Sequence, residues 1–249
     1  MKHWFNTKTI NNNYVSSCVL GIGIILLFYI TCYIAVKSNL LVSIGNITKE
    51  TIANRVLFDF FANTLLAFII IIINRKKRES YRLCIESKYE IMILSGIMII
   101  LFFLHKDYSI EGFYLFIFYL FFVAFTEEFI FRGYLYNRMC KDSRITAIII
   151  SGFFFGIGHA VLPSVMANAD VFQLLLAMVS EVGGGVLIGW YFIVLQERSK
   201  TIWIPVLIHA ILDYTVGIIG VVVAAVTLIY FLDKTKPKSS DMSYNKLMN

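Results

Sequence analysis

Two adjacent glutamates and an arginine interrupt an apolar and aromatic stretch of the chain, FTEEFIFRGYLY, which runs from Phe125 to Tyr136. The preceding run, FYLFIFYLFFVAF, carries no charge and is apolar enough to lie in a membrane. A charged side chain at the middle of a bilayer costs about 2.5–3.5 kcal/mol on insertion scales. Glu127, Glu128 and Arg132 are therefore candidates for a function.

Helix geometry separates the two glutamates. Glu128 and Arg132 are four residues apart with the acid nearer the N-terminus, so a helix would place them on one face as an ion pair. Glu127 is turned from Glu128 by about 100° and has no basic residue one turn away. The pair is predicted to be structural. For Glu127 two interpretations stay open, a hydrogen bond that packs two helices together or chemistry.

Two histidines and an aspartate fall in other apolar runs. His159 ends the run SGFFFGIGH, and His209 stands in IPVLIHAILD with Asp213 one helical turn later. A rise of about 1.5 Å per residue places these three side chains and Glu127 about 14–22 Å from the inner ends of their helices, and so in one layer. Glu181 precedes three consecutive glycines by one turn and could line the same cavity, but no partner is evident and it is left unassigned.

These side chains suit the hydrolysis of a peptide bond. A carboxylate and a histidine in a partly dry cavity can hold a water and remove its proton, and Glu127 with His159 is predicted to do this. A second histidine with a hydrogen-bonding neighbour can donate to a developing oxyanion, as predicted for His209 with Asp213. A catalytic zinc bound by Glu127, His159 and His209 is the alternative, but the chain has no HExxH motif, so no metal or other cofactor is assigned.

The composition predicts that a membrane surrounds these groups. Hydrophobic residues make up 59% and charged residues 15% of the 249 residues, whereas a soluble domain carries about 45–50% and about 25%. The net charge of +6 lies in short basic clusters between apolar runs, which is typical of membrane topology and argues against a nucleic-acid partner.

An all-α integral membrane protein with a bundle of about eight transmembrane helices is predicted, because a spanning helix needs about 20 mostly apolar residues. The predicted spans are 14–36, 56–74, 89–104, 113–138, 145–162, 171–195, 201–213 and 215–232. With both termini in the cytoplasm, 17 of the 22 lysines and arginines face inside and four face outside, as the positive-inside rule requires. A six-helix count, in which the last two spans fuse and one other is lost, is the competing interpretation.

Three regions are predicted along the chain. Residues 1–112 form the first three transmembrane helices with a basic cytoplasmic loop at 75–88, residues 113–232 form the catalytic core, and 233–249 is a polar cytoplasmic tail. Asp59, near the outer end of the second span, is expected to reach the membrane interface. The glycine pairs 152/156 and 185/189 have the small-xxx-small spacing that lets two helices approach closely.

Three short motifs resemble those of one family, the type II CAAX prenyl endopeptidases and their bacterial relatives, the Abi or CPBP intramembrane proteases. The stretch from Glu127 to Arg132 is similar to the family's EExxxR motif. The stretch from Phe155 to His159 resembles FxxxH, and that from His209 to Asp213 resembles HxxxN or HxxxD. The order is that of the family and each motif falls on a separate predicted helix, so the resemblance covers about residues 113–215.

The resemblance implies an eight-helix bundle with an endopeptidase site in a conical cavity. Glu127 and His159 would activate water, and His209 with residue 213 would form the oxyanion hole. Asp213 stands where many members have asparagine. An ionised aspartate would repel an oxyanion, so Asp213 helps only if it is protonated or if it orients a charged His209.

The expected function is cleavage of a membrane-associated peptide or protein in a bacterial plasma membrane, with bacteriocin processing or self-immunity as a further hypothesis. The lipid bilayer is the other expected partner. A non-catalytic immunity or scaffold protein that binds a peptide or partner is the alternative. A transporter or proton relay is less favoured, because the chain lacks paired, Gly/Pro-broken helices in two matching halves.

Overall fold

The structure is a computed structural model that describes residues 7–215 and 217–236, with side chains from residue 13 onward except those of 77 and 78. Eight long helices follow one another in this part of the chain, and it contains no strand. We number them α1 (Thr7–Lys37), α2 (Ile52–Ile73), α3 (Lys88–His105), α4 (Ile110–Met139), α5 (Arg144–Met166), α6 (Val171–Ser199), α7 (Trp203–Thr215) and α8 (Ile218–Lys234).

The predicted all-helical membrane architecture is confirmed. Helices α1 to α6 are each long and apolar enough to cross a membrane. Helix α7 has 13 residues and is about 20 Å long, which is less than the hydrocarbon core of about 30 Å. Because α7 ends at Thr215 and α8 begins at Ile218, the last two helices are separate and do not fuse as the six-helix interpretation assumed. The orientation of the termini and the three-region division stay predictions, and the tail from 237 onward lies outside the described residues.

Side-chain caps set the starts of the helices that carry the site. Ser109 accepts a hydrogen bond from the backbone of Gly112 at the start of α4, and Ser143 accepts one from Thr146 at the start of α5. Asp170 forms a reciprocal capping box with Gln173 at the start of α6. These side chains satisfy backbone donors that the first helical turn leaves unpaired.

Helix α4 has an unusual backbone. The segments Phe118–Phe125 and Glu128–Tyr136 are wound with wider π-type turns, in which the backbone hydrogen bond joins residues five apart. Every residue of the second segment is buried. Such turns change the angle between successive side chains, and they are frequent at functional sites.

Glycines bring α5 and α6 into close contact, as predicted. A Cβ atom on Gly152 would lie 2.6 Å from the Cα of Val186, and one on Gly185 would lie 2.6 Å from the carbonyl oxygen of Gly152. These distances leave no room for a side chain, so the two backbones touch. The other faces of α6 are largely exposed, and only 6% of the residues in its most apolar stretch are buried.

The centre of the bundle is formed by α4, α5 and α7. Helix α7 is buried at every position from Ile204 to Ile211, although it is too short to cross a membrane alone. It packs against α3, α4, α6 and α8. The core therefore surrounds α7 and the second half of α4, which carry most of the predicted site.

The expectation for Asp59 is wrong. Its side chain is 1% exposed and accepts a 2.6 Å hydrogen bond from Nε of Arg55, one turn earlier on α2. Tyr114 of α4 donates a second hydrogen bond to the same carboxylate oxygen, Oδ2. Asp59 lies inside the bundle because Arg55 and Tyr114 compensate the burial of its charge. Its position near the end of the predicted span did not indicate these contacts.

Candidate active site

Glu128 and Arg132 form the predicted ion pair at the centre of the bundle. Nη1 of Arg132 lies 3.2 Å from Oε1 of Glu128, and both side chains are fully buried. None of the three guanidinium nitrogens makes a hydrogen bond with the residues that the structure describes. The charge of Arg132 is therefore compensated by a contact between ions rather than by directed hydrogen bonds.

Aromatic rings complete the surroundings of Arg132. Its guanidinium carbon lies 3.9 Å from the centroid of the Phe155 ring and 5.2 Å from that of Phe192. Both distances are within the range of cation–π attraction. Phe155 was part of a predicted motif, whereas Phe192 on α6 was not singled out and no feature of its sequence neighbourhood indicates the contact.

His209 is the second partner of Glu128. Its Nδ1 lies 2.8 Å from Oε1 of Glu128, and its ring stacks on Phe192 with centroids 5.0 Å apart. Because the carboxylate accepts, the proton on Nδ1 is donated to Glu128. One glutamate oxygen thus holds both Arg132 and His209, and this hydrogen bond between α4 and α7 was not predicted.

The other nitrogen of His209 faces two carboxylates. Nε2 lies 3.3 Å from Oδ2 of Asp213 and 3.7 Å from Oε2 of Glu127. The histidine is almost completely buried, whereas the side chains of Glu127 and Asp213 are 27% and 33% exposed. Glu128 therefore anchors His209 through Nδ1, and Nε2 points towards the more exposed carboxylates of Glu127 and Asp213.

His159 lies on α5, and its Nδ1 is 2.9 Å from the backbone carbonyl oxygen of Phe155, one turn earlier. A proton on Nδ1 can be donated to that carbonyl, which leaves Nε2 as an acceptor in the neutral ring. The ring also packs edge-on against Phe155 with centroids 4.5 Å apart. One hydrogen bond and one aromatic contact thus orient the imidazole.

Glu127 and His159 line one cavity of about 250 Å³. Its walls are mostly apolar and come from α1, α2, α4 and α5. The cavity is larger than a single water needs, so it can admit part of a peptide as well. His209 and Asp213 are not among its lining residues, and Glu127 connects them to it.

The predicted metal alternative needs Glu127, His159 and His209 as a set of ligands. Within residues 7–215 and 217–236, no group of three His, Cys, Asp or Glu side chains is arranged to hold a metal ion. Nδ1 of His209 is bonded to Glu128 and Nδ1 of His159 to a backbone carbonyl, so Nε2 is the ring nitrogen that each histidine has available for a ligand. No metal is therefore assigned to these side chains, and the zinc alternative stays a prediction.

The structure therefore brings the predicted site residues together. Nε2 of His209 lies close to the carboxylates of Glu127 and Asp213. His159 lines the same cavity as Glu127. The ion pair of Glu128 and Arg132 is fully buried next to these groups. Glu181 is exposed on α6 and is not among the residues that line the cavity. The chemical roles of the predicted site residues are not decided by position alone and stay predictions.

An all-helical, multi-pass membrane protein with histidines, carboxylates and an arginine gathered in its core belongs to the class of proteins with an intramembrane polar site. Residues 109–215 match the family model described as Rce1-like, type II CAAX prenyl endopeptidase Rce1-like. Over this segment, which contains all three motifs, the chain is similar to that protease family, and the predicted resemblance is confirmed. No curated protein and no solved structure matches the chain.

Proposed function

We propose that the chain is an intramembrane endopeptidase that cleaves a membrane-associated peptide or protein with a water activated by Glu127 and His159. The observation that carries this proposal is the placement of these two side chains on one cavity, with Nε2 of His209 3.7 Å from the same glutamate. A base and an acceptor thus line one cavity, and a hydrogen-bond donor lies beside the base. The family match supports a peptidase of the CAAX-protease type in general.

The proposed reaction begins with a water held between Glu127 and His159. The carboxylate of Glu127 removes a proton, and Nε2 of His159 accepts the water's other hydrogen bond. The resulting hydroxide attacks the carbonyl carbon of the peptide bond, and the carbonyl oxygen becomes an oxyanion. Glu127 then passes its proton to the leaving nitrogen as the C–N bond breaks, so that the products are a carboxylic acid, which ionises in water, and a free amine terminus.

His209 is proposed to stabilise the oxyanion through Nε2–H. Oε1 of Glu128 accepts a hydrogen bond from Nδ1–H and fixes the direction of the ring, because the two atoms are 2.8 Å apart. Asp213 lies 3.3 Å from Nε2 and is proposed to orient a doubly protonated His209 rather than to donate itself. Removal of one oxyanion donor typically slows an enzyme by about 10²–10³.

A binding protein without catalysis is the second candidate function. It is favoured by the complete burial of Glu128 and Arg132, which is also the arrangement expected of a purely structural pair. A role in bacteriocin processing or self-immunity, and a bacterial plasma-membrane location, have no support from the family match and stay predictions.

Purified protein in liposomes, incubated with a quenched fluorescent library of apolar peptides, tests the proposed function. We expect Glu127→Gln and His159→Ala each to reduce cleavage at least about 10²-fold without loss of folded protein, because each removes part of the water-activating pair. Glu181→Gln is the matched control, because it neutralises an exposed acid on α6 that does not line the cavity. Cleavage that survives both site variants would refute the mechanism through Glu127 and His159, whereas absence of cleavage by the unsubstituted protein would favour the binding protein.

A further inference from the structure

A second pair of charged residues lies inside the bundle, on α2. The side chains of Arg55 and Asp59 are 7% and 1% exposed and lie one helical turn apart. Burying two charges costs more than a lone ion pair returns, so such a pair is weak evidence for stability. Within a membrane-spanning helix, ionisable residues are by default candidates for function.

Several contacts hold Arg55 in one orientation. Its Nε donates to Asp59 at 2.6 Å and its Nη1 donates to the carbonyl oxygen of Val42 at 2.9 Å. Its guanidinium carbon lies 5.1 Å from the ring centroid of Phe118. Among the described residues, the hydrogen bonds of Arg55 to Asp59 and Val42 use Nε and Nη1, which leaves the N–H groups of the third nitrogen, Nη2, for a ligand in the cavity.

Arg55 and Asp59 line the same cavity as Glu127 and His159. Thr64 of α2 lies 3.4 Å from Thr126, the neighbour of Glu127, so this point marks the level of the reacting groups on α2. Arg55 is nine residues from Thr64, which corresponds to about 13 Å along a helix. An extended peptide rises about 3.3 Å per residue, so a few residues of a bound peptide cover this distance.

We propose that Arg55 is a substrate-binding residue that holds a carboxylate of the peptide a few residues from the cleaved bond, and that Asp59 positions it. This inference rests on the proposed function, because it places a peptide across the cavity. A carboxylate is the group that an arginine binds with the strongest and most directional hydrogen bonds. Most other lining residues are apolar, among them Phe28, Phe58 and Ile130, so apolar side chains of the peptide fit between the two charged ends.

The carboxylate has two sources, the C-terminus of the peptide and an acidic side chain. An apolar hexapeptide with an N-terminal fluorophore is the probe, in three forms that end in a free carboxylate, a carboxamide, or a carboxamide after a last glutamate. Fluorescence anisotropy with the Glu127→Gln protein in detergent measures binding without cleavage. We expect a form with a carboxylate to bind about tenfold more tightly than the neutral carboxamide, and the tighter of the two identifies the source.

Variants separate recognition from a structural role. Arg55→Gln is expected to remove the preference for the carboxylate and leave binding of the neutral peptide unchanged. Asp59→Asn is expected to retain the preference, because it leaves the arginine charge in place. A purely structural ion pair predicts that these two variants behave alike. Arg144→Gln, which breaks the 2.8 Å pair with Glu197 outside the cavity, is the control and should change nothing.

Equal binding of all three peptides to the protein with Arg55 intact would overturn the proposal, and this comparison does not depend on whether Arg55→Gln folds. An equal loss of binding for charged and neutral peptides in Arg55→Gln would also overturn it. If the carboxylate preference is present but the unsubstituted protein cleaves no peptide, the Arg55 subsite stands and the proposed peptidase function fails. The two proposals can therefore be refuted independently.

Discussion

Nδ1 of His209 lies 2.8 Å from Oε1 of Glu128, the oxygen that also contacts Arg132. A single buried carboxylate therefore joins the positively charged group of α4 to the histidine of α7. The consequence is that Glu128 does more than neutralise its neighbour, because it determines which nitrogen of His209 faces Glu127 and Asp213. The second glutamate of the motif is thus coupled to the first through a histidine.

The coupling between Glu128 and His209 can be measured with a double-mutant cycle. Glu128→Gln and His209→Gln should each lower the free energy of unfolding, and their interaction energy should be about 0.5–3 kcal/mol because the side chains share a buried hydrogen bond. Reversible unfolding in mixed micelles provides the measurement. Glu181→Gln combined with His209→Gln is the control and should be additive. Additive effects of Glu128 and His209 would show that the hydrogen bond contributes nothing.

Asp213 should tolerate asparagine better than alanine. We expect Asp213→Asn to keep cleavage of the fluorescent peptides within about tenfold, because an amide can still hydrogen-bond Nε2 and its own N–H can donate to an oxyanion. Asp213→Ala should lose about 10²–10³-fold, since no polar group remains beside Nε2. If the two variants are equally inactive, the negative charge of Asp213 is required to hold His209 protonated.

Adjacent glycines of α6 should respond in opposite directions to alanine. A Cβ on Gly185 would lie 2.6 Å from the backbone of Gly152, so Gly185→Ala should destabilise the protein by about 1–3 kcal/mol and separate α5 from α6. Gly184 has open space, so Gly184→Ala should be neutral or stabilising through helix propensity. Unfolding in mixed micelles compares the two. Similar stabilities would mean that α5 and α6 are not in backbone contact.

Cleavage should continue in the presence of a chelator. We expect activity to be unchanged after incubation with a strong divalent-metal chelator, because Glu127, His159 and His209 are not arranged as a ligand set. Elemental measurement of the purified protein checks for bound zinc. Activity that is lost on chelation and restored by zinc would contradict the mechanism proposed here and require the side chains to rearrange around a metal.

Much of the fold was predictable because it depends on local properties. Apolar run length identified the eight helices, and the four-residue spacing predicted the contacts of Glu128 with Arg132 and of His209 with Asp213. The small-xxx-small spacing of Gly152 and its partners predicted close packing, although not which helix each would contact. These inferences succeed because helix length and periodicity are set within one segment of chain.

Relationships between helices depend on tertiary packing. The amino-acid sequence predicted an all-helical membrane protein and the residue types of its polar site. It did not determine that Glu128 would bond His209, that Phe192 would cover both His209 and Arg132, or that Asp59 would be buried with Arg55 beside the cavity. Helix rotation and the wider turns of α4 fix these contacts, and both depend on packing among several helices at once.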